Sequence, residues 1–550
     1  MKEKEQLKKV NHILIAVLFI AQPCITMFQA TVVRDIQFLG ISVFESFNII
    51  IAGISVLLTI YTFDKKKYFI KYIPYVLALG IYLILHGMNI YAFNNAIYTF
   101  QEPSFLVETY YIVRTFIVPL MLLFTLYYSG MKKDEMLGIF RVFIMIIAFS
   151  MVITNLLGVA QQNYAEDLVY CENTFFDWFT YSNLYKYSYY DITTKGWFLS
   201  GNQMAGILFM SYPVTLFLAY RKKHKIDYIT AFVQGLAMFM LGTKVANVGA
   251  LIILVLFIIF WILTKLVRMP ANSIAFALII LVVLGVIFPF SPIGHKYAYA
   301  KNHAGTSAPE QNTMLEGVIS KVEAESQKDH NEKEGNEAPA FDYKKVGTDS
   351  VKFKELDADN LSEEDRKFAK SYLYEYCSFF GISEFIIRNY DEESHMEFWV
   401  HYLQEAPNND YRVLKTMILQ NIYEDNNNPK DKYLGMGYTL NYIYTESDYS
   451  YQIYLYGIAG FVLLIGPYFV MLLCLAVKVL KRIKVMFHIE TMCLCVGPAI
   501  GLAVAKFSGH IFERPFPLIV IAFLLGIALK YVQEAEAEKE AVKKCQTTII

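Results

Sequence analysis

Charged residues are scarce in this chain. Asp, Glu, Lys and Arg together make up 18% of its 550 residues, whereas 55% of the residues are hydrophobic. A soluble protein of this length would normally carry more charge and divide into several domains, so the composition argues against that class. The formal net charge is −1, so overall charge indicates no nucleic-acid partner.

Cysteine is also scarce, with seven residues, of which four lie in apolar segments and one in a charged tail. Only Cys171 and Cys377 lie in polar segments, and we do not expect a disulfide between them. Cys493 and Cys495 form a C-x-C pattern within an apolar segment. We interpret this pair as packing residues, and no metal site is predicted.

The chain has instead a series of apolar segments about 20 residues long, the length at which an α-helix crosses a membrane. Twelve can be drawn: 11–32, 41–62, 72–93, 105–129, 138–158, 200–219, 227–242, 247–267, 272–290, 451–476, 487–507 and 515–531. The first is long for a signal peptide and ends in Thr and Val, so we expect a retained helix. The sequence therefore predicts an all-α polytopic membrane protein with about twelve transmembrane helices and one large extracytoplasmic loop region.

The basic residues lie in alternate loops, and this predicts the orientation. Clusters of Lys and Arg precede the first segment and follow the second, fourth, sixth, eighth and tenth. The excess of positive charge marks this side as cytoplasmic, so both termini are expected in the cytoplasm. We predict a membrane domain at 1–290, an extracytoplasmic region at 291–449, the last three helices at 450–531 and a cytoplasmic tail at 532–550.

Two segments on the predicted outer side are long. Residues 159–197 are polar and aromatic, which is typical of an interfacial or re-entrant segment. Residues 301–370 are acidic with little apolar periodicity, and we expect loose order or exposed helix there. Residues 371–449 are rich in aromatics and are expected to fold back against the membrane domain. The short outer loops hold few cations: Arg34, Lys186, Lys195, Lys244 and Arg514.

Ionisable groups at membrane depth are few, and each costs roughly 2.5–3.5 kcal/mol on insertion scales. They are Glu45, His86, Glu108, Arg114, Lys244, Lys506 and His510. Because Glu108 and Arg114 are six residues apart, they lie on different faces of one helix, so each needs a partner on another helix. A structural ion pair between helices explains Arg114 as well as a functional role does, and it explains Glu45 and His86 better.

Lys244 lies in "LGTKVANVGAL", a Gly-Thr-Lys break between two apolar segments. Thr243 can cap the next helix, and a lysine at the outer edge is suited to contact a phosphate oxygen. The simpler alternative is a lysine that extends to the interface. The outer position weighs against this alternative, because anchoring lysines concentrate on the inner side.

The stretch "GWFLSGNQMAGI" places Ser200, Asn202 and Gln203 where an apolar segment begins. Ser200 can cap the helix that follows. The two amides would then lie at the outer edge near Lys195.

Four stretches give the chain a resemblance to the O-antigen ligase and O-antigen polymerase superfamily, and more narrowly to the ligase-like polysaccharide polymerases of Gram-positive bacteria. The first is "GWFLSGNQMAGIL" and the second "LGTKVANVGAL". The third runs from "YRVLKTMILQNIYE" to "KDKYLGMGYT", with Arg412 and Tyr438. The fourth is "TESDYSYQIYLYGIAGF", with Glu446, Asp448, Gly457 and Gly460. Each stretch alone is weakly specific, but all four occur in the family's order.

One departure from the family pattern concerns histidine. Ligases that transfer glycans to lipid A carry a histidine in the fourth stretch, and this chain has no histidine between His401 and His488. The departure favours a polymerase. Either Glu446 or Asp448 takes the base role of that histidine, or the mechanism differs.

The resemblance implies an inverting, metal-independent glycosyl transfer at the outer leaflet of the bacterial plasma membrane, without a cofactor. The donor would be an oligosaccharide on undecaprenyl pyrophosphate, and the product a capsule, exopolysaccharide or wall polymer. Membrane lipid, a flippase and chain-length regulator proteins are the implied partners.

The implied chemistry assigns roles to several residues. Lys244 and Arg412 would stabilise the pyrophosphate, with Lys195 or Arg114 as helpers. Glu446 or Asp448 would be the general base, although an acidic residue there can equally cap the next helix. The remaining candidates for substrate contact are Asn202, Gln203 and Tyr438.

Two other functions stay open. Another multi-span transferase of lipid-linked sugars would use an acid in the first outer loop, where Asp35 lies in "VVRDIQ". A non-enzymatic flippase or transporter would place polar groups and broken helices near the membrane midplane and would show related halves. Most of the polar candidates lie instead at the predicted outer edge, and no internal repeat is visible.

Overall fold

The computed structural model describes most of the chain. The described residues are 2–31, 37–38, 41–64, 66–94, 102–163, 169–180, 189–267, 273–303, 343–376, 387, 395–405, 411–437, 445, 447–507 and 509–548. Within them the secondary structure is almost entirely helical, and the one strand pair joins Gln37–Phe38 to Ile41–Ser42.

The first part of the chain forms eleven α-helices, numbered in chain order. They are α1 (Lys2–Thr31), α2 (Val43–Thr62), α3 (Ile73–Asn89), α4 (Phe105–Ile112), α5 (Val118–Tyr128), α6 (Lys133–Leu156), α7 (Gly201–Tyr220), α8 (Ile226–Met240), α9 (Lys244–Val267), α10 (Ala275–Ile287) and α11 (Pro292–His303). A π-helical segment, Val113–Ile117, joins α4 to α5. Short 3₁₀ helices lie at Lys66–Tyr72, Ile90–Ala92, Phe175–Phe179, Tyr189–Ile192 and Phe288–Phe290.

The rest of the described chain forms ten further helices. They are α12 (Tyr343–Lys354), α13 (Glu363–Tyr376), α14 (Met396–Glu405), α15 (Tyr411–Asn426), α16 (Asp431–Leu434), α17 (Asp448–Gly460), α18 (Gly466–Leu480), α19 (Ile483–Met486), α20 (Ile489–Phe507) and α21 (Pro515–Thr548). A second π-helical segment, Phe461–Ile465, joins α17 to α18.

All twelve predicted spans coincide with helices. Ten continuous helical stretches of the described chain are long and apolar enough to cross a membrane, when α4 with α5 and α17 with α18 are each counted as one stretch. The segment predicted at 272–290 reaches that length only together with α11, from which it is bent by 48°. The segment predicted at 227–242 is α8, a shorter apolar helix. The prediction of an all-α polytopic membrane protein is confirmed.

The chain divides into two compact units. The first unit comprises residues 1–84, 106–297 and 459–550, and it contains most of the apolar helices. The second comprises residues 85–105 and 298–458.

The centre of the first unit is formed by α7 and the apolar part of α21, whose side chains are buried on nearly all sides. Helix α7 lies against α20, where Gly497 and Gly501 face Met210. A Cβ atom at Gly497 would lie 2.6 Å from the Met210 backbone oxygen. Small residues of this kind let two membrane helices approach closely.

Polar side chains join α1 to α2 inside the first unit. Asn11 donates to Thr59 Oγ1 at 2.8 Å and accepts from Ser55 Oγ at 2.5 Å. About three turns further along α1, Gln22 donates to Asn48 Oδ1 at 3.0 Å. Because these groups satisfy one another, two buried polar layers hold the helices in one register.

Ion pairs cluster at one end of the first unit, where the basic loops lie. Lys133 pairs with Glu490 at 2.9 Å, and Arg141 with the buried Asp227 at 2.6 Å. Arg221 and Lys223 both pair with Asp134, at 2.9 and 3.0 Å. We call this end the basic end. The sequence predicts that it is cytoplasmic.

The second unit has its own aromatic core. Helices α12, α13 and α14 bury Phe353, Tyr372 and Trp399, and the rings of Phe353 and Tyr372 stack with their centroids 4.4 Å apart. Ser350 and Tyr372 share a hydrogen bond of 2.7 Å. Part of the segment predicted to be loose order or exposed helix is therefore helix with one buried face.

The close approach of α7 and α20 predicts a specific sensitivity at one glycine. Gly497→Ala forces the methyl group onto the Met210 carbonyl, so we expect a loss of about 1–3 kcal/mol of stability. Thermal unfolding of the detergent-solubilised protein, followed by size-exclusion fluorescence, measures the effect. Gly80→Ala is the matched control, because no atom lies within 4 Å of a Cβ at Gly80. Equal unfolding temperatures for the two variants would contradict the described packing.

Candidate active site

Three helices of the first unit begin with capped ends. Ser200 Oγ accepts from the Gln203 amide at the start of α7, at 3.4 Å. Thr243 Oγ1 accepts from the Ala246 amide at the start of α9, at 3.2 Å. Both caps were expected from the sequence. Ser291 does the same for α11 through the Gly294 amide, at 3.3 Å.

The starts of α7 and α9 are held together by Asn163. Its side-chain amide donates to the Leu241 carbonyl at 2.6 Å, and its backbone amide donates to the Thr193 carbonyl at 3.2 Å. The Asn163 Oδ1 atom would lie 1.6 Å from a Cβ at Gly201, so the start of α7 is pressed against this side chain.

Gly242 brings the start of α11 to the same place. Its φ is +65°, which glycine adopts without strain, and a Cβ there would lie 2.4 Å from Thr193 Cγ2 and 3.1 Å from Pro292 Cβ. The segment that contains Thr193 is fixed in turn by a 2.8 Å bond from the Thr194 amide to the Met240 carbonyl. Three helix N-termini therefore meet around Asn163, Thr193 and Gly242.

Three lysines lie within four residues of the Thr193, Gly242 and Pro292 contacts that bring these helix starts together. Lys244 is the first residue of α9 and is exposed, whereas Lys296 on α11 is half-buried. The charge of Lys244 is close enough to repel that of Lys296. The Lys195 side chain is only 7% exposed, although its backbone lies in the loop that bonds to α8 through Thr194.

The lysines at the helix starts differ from the cations of the basic end. Within the described part of the chain, no carboxylate lies at ion-pair distance from Lys195 or Lys244. Burial lowers the pKa of Lys195 below the ordinary lysine value. Folding therefore disfavours its charged form until an anion is placed beside it.

Helix N-termini carry unpaired amide donors and a partial positive charge, and they bind anions for that reason. The cluster combines three such ends with Lys195, Lys244 and Lys296. Asn202, half-buried, and Gln203, buried, lie in the first turn of α7 and add amide groups to the same edge. Chemically, the arrangement suits a polyvalent anion such as a diphosphate.

Arg114 lies apart, in the π-helical segment, and is paired with Glu45 of α2. Its guanidinium also lies over the Tyr111 ring, 4.8 Å from the centroid. These contacts match the structural ion pair that the sequence left open. The substrate role of Arg114 stays a prediction.

The second unit brings the third and fourth sequence stretches together. Helix α17 is broken at Gly457, where φ is +64°, and this exposes carbonyls in the preceding turn. The Met436 amide donates to the Tyr454 carbonyl at 3.0 Å, and the Gly437 amide to the Leu455 carbonyl at 2.9 Å. The segment from Gly435 to Gly437 is thereby fixed along α17.

A buried carboxylate holds the base of that segment. Asp431 accepts from the side-chain amides of Asn89 at 2.7 Å, Asn426 at 2.6 Å and Asn428 at 2.9 Å. Burial raises the pKa of Asp431, and the amide donors oppose that shift. Asn89 also donates to the Gly435 carbonyl at 2.9 Å.

The other predicted site residues belong to the second unit. Asp448 is in the first turn of α17 and its side chain is fully buried, which fits a helix-stabilising role better than a role in proton transfer. Arg412 is on α15, but its side chain lies outside the described residues. Tyr438 and Glu446 lie outside the described residues as well.

Sequence patterns did not identify several residues of the helix-start cluster, nor the buried Asp431 of the second unit. Asn163 packs on Gly201, Lys296 lies near Lys244 and Asp431 accepts from Asn89, and the two members of each pair are distant in the sequence. The run of asparagines "EDNNNPKD" before Asp431 is the one local signal that could have been noticed.

Comparisons with known proteins give one finding. A family model described as "O-antigen ligase like membrane protein" matches residues 8–535, nearly the whole chain. No curated protein and no solved structure matches the chain.

Lys195 is buried, and no carboxylate of the described chain lies at ion-pair distance from it, so we predict that its charge costs stability and that it binds anions. Lys195→Met removes the charge and keeps the length of the side chain, so the unfolding temperature should stay equal or rise. Inorganic pyrophosphate should raise the unfolding temperature of the wild type and have a much smaller effect on the variant.

Lys223→Met is the control for this experiment, because Lys223 is exposed and lies at the basic end. It should keep the full response to pyrophosphate. A destabilised Lys195→Met protein that still responds to pyrophosphate would show that Lys195 has a structural role only.

Proposed function

Since this chain belongs to the family of O-antigen ligase like membrane proteins, we propose that it joins glycan repeat units carried on undecaprenyl pyrophosphate. The transfer takes place at the outer leaflet of the bacterial plasma membrane and builds a surface polysaccharide. The observation that carries this proposal is the meeting of three helix N-termini with Lys195 and Lys244, neither of which is paired with a carboxylate in the described chain.

The proposed reaction needs positive charge at the leaving group. When the bond between the sugar C1 and the phosphate oxygen breaks, the pyrophosphate gains negative charge. Lys195 and Lys244 stabilise that charge, and the first-turn amides of α7 and α9 add preorganised donors. Because the backbone amides are fixed by their helices before the substrate binds, they need no reorganisation during the reaction.

Discrimination between lipid carriers follows from the same charges. A diphosphate carries more charge than a monophosphate and reaches more of the donors, so the carrier with pyrophosphate is the favoured donor. Asn202 and Gln203 are proposed to contact the first sugar or the phosphate nearest to it. Arg412, Tyr438, Glu446 and Asp448 keep the roles that the resemblance implies, each to be tested alone.

Polymerase activity is proposed in preference to transfer onto lipid A. The fourth stretch, "TESDYSYQIYLYGIAGF", has no histidine, unlike that of the lipid A ligases. The acceptor is therefore proposed to be a hydroxyl of a second lipid-linked repeat unit. An inverting reaction without a metal is consistent with an attack by that hydroxyl in one step.

Removing Lys244 tests the proposed function. Lys244→Ala should lower the polymerisation rate by about 10²-fold, the usual effect of removing one group that stabilises developing charge. The measurement is product length on gels, with purified protein, short lipid-linked repeats and no energy source. In cells, single lipid-linked repeats should accumulate while protein levels stay normal. Arg412→Ala is predicted to give the same result.

Lys223→Ala is the matched control, because it removes a lysine from the basic end. Normal chain length in the Lys244 and Arg412 variants would rule out their proposed roles. Wild-type protein that moves lipid-linked glycan across vesicles without extending it would identify a flippase. Loss of polymer in Asp35→Asn alone would favour the other transferase class.

A further inference from the structure

The last loop of the first unit contains a histidine–carboxylate pair. Between α20 and α21, His510 Nδ1 and Glu513 Oε2 are 2.6 Å apart. The backbone of His510 has φ of +62°, in the left-handed region that residues other than glycine seldom adopt. Such strain costs on the order of 1–3 kcal/mol and is concentrated at functional sites.

The two side chains of the pair differ in exposure. Glu513 is 2% exposed and His510 28% exposed, so the carboxylate is enclosed while the ring reaches the surface of the unit. Glu513 Oε1 is buried without a hydrogen-bond partner in the described chain, and the Glu513 carbonyl accepts from Tyr111 Oη at 2.8 Å. A buried carboxylate on Nδ1 fixes the tautomer of the ring and stabilises its protonated form.

The loop lies at the same end of the unit as the lysine cluster. Helices α7 and α20 are antiparallel, because Gly497 faces Met210 whereas Val504 faces Gly206. The neighbour of His510, Ile511, packs on Gly206, where a Cβ would lie 2.6 Å from Ile511 Cδ1. Gly206 is about 7.5 Å along the helix axis from Gly201, so the loop borders the first two turns of α7.

We propose that His510 is the general base of the glycosyl transfer and that Glu513 is its positioning residue, an inference that rests on the proposed function. The acceptor hydroxyl loses its proton to His510 Nε2 as its oxygen bonds to C1 of the donor sugar. The bond between C1 and the phosphate oxygen breaks, and its electron pair leaves with the pyrophosphate. The imidazolium is stabilised by the Glu513 carboxylate and later gives its proton to water.

Two observations support the assignment of His510 as the base. The fourth stretch lacks the histidine of the lipid A ligases. Asp448, the candidate base of that stretch that lies within the described residues, is fully buried. His510 provides a partly exposed base at the end of the first unit where Lys195 and Lys244 lie.

His510→Asn is the sharpest test, because asparagine tolerates the left-handed backbone and cannot act as a base. With purified protein and lipid-linked repeats, kcat should fall about 10²–10⁴-fold while KM stays nearly unchanged. Imidazole added to His510→Gly should restore part of the rate. Glu513→Gln should cost about 10–100-fold, and the double variant should be no slower than His510→Asn.

Lys506→Gln is the matched control, since Lys506 is exposed in the last turn of α20. It should polymerise at the wild-type rate. If the wild type polymerises and His510→Asn keeps its kcat, this inference is overturned and the proposed function stands. Additive losses in the double variant, without rescue by imidazole, would likewise assign the pair a structural role. A wild type that forms no product overturns both proposals.

Discussion

The candidate site depends on the enclosure of a lysine for which the described chain provides no counter-ion. Lys195 is 7% exposed, and the N-termini of α7, α9 and α11 meet beside the loop that holds it. Burial and the positive ends of the helices both disfavour the charged form of a lysine at this place. Asn163 and Gly242 hold the arrangement together, because Asn163 donates to the Leu241 carbonyl while it packs on Gly201, and Gly242 lets Thr193 and Pro292 approach closely. A bound anion offsets the repulsion between the lysines. The groups that bind the substrate therefore lower the stability of the protein when no anion is bound.

The cations of the basic end differ from Lys195 in having carboxylate partners. There, Lys133, Arg141 and Arg221 each pair with a carboxylate at 2.6–2.9 Å. Those pairs connect loops and helices, and their charges are balanced without an external anion. Basic side chains are thus used in two ways within one unit. The difference lies in the neighbours of each basic residue and not in the local sequence.

Sequence patterns predicted the helices well, because the cost of exposing backbone to lipid makes each span a long apolar run. They differed in detail at α8, which is a shorter helix, and at α10, which is bent relative to α11. Ser200 and Thr243 were predictable as caps because a cap acts within three residues of itself. The pairing of Arg114 with Glu45, of Asn163 with Leu241 and of Asp431 with Asn89 was not predictable, since each pair is joined only by tertiary packing.

The glycine pattern of the third and fourth stretches is explained by one contact. The break at Gly457 frees carbonyls of α17, and the segment from Gly435 to Gly437 bonds to them. A sequence can show that glycine recurs at these places, but only the fold shows that the two stretches bind each other. Asp431 and its three asparagines then anchor the segment from the other side.

A structure of the protein with undecaprenyl pyrophosphate bound tests the anion site most directly. We expect both phosphates at the starts of α7 and α9, within about 3–4 Å of the Lys195 and Lys244 ammonium groups. A diphosphate bound elsewhere in the protein, with Lys195 still enclosed and free of any anion, would contradict this expectation.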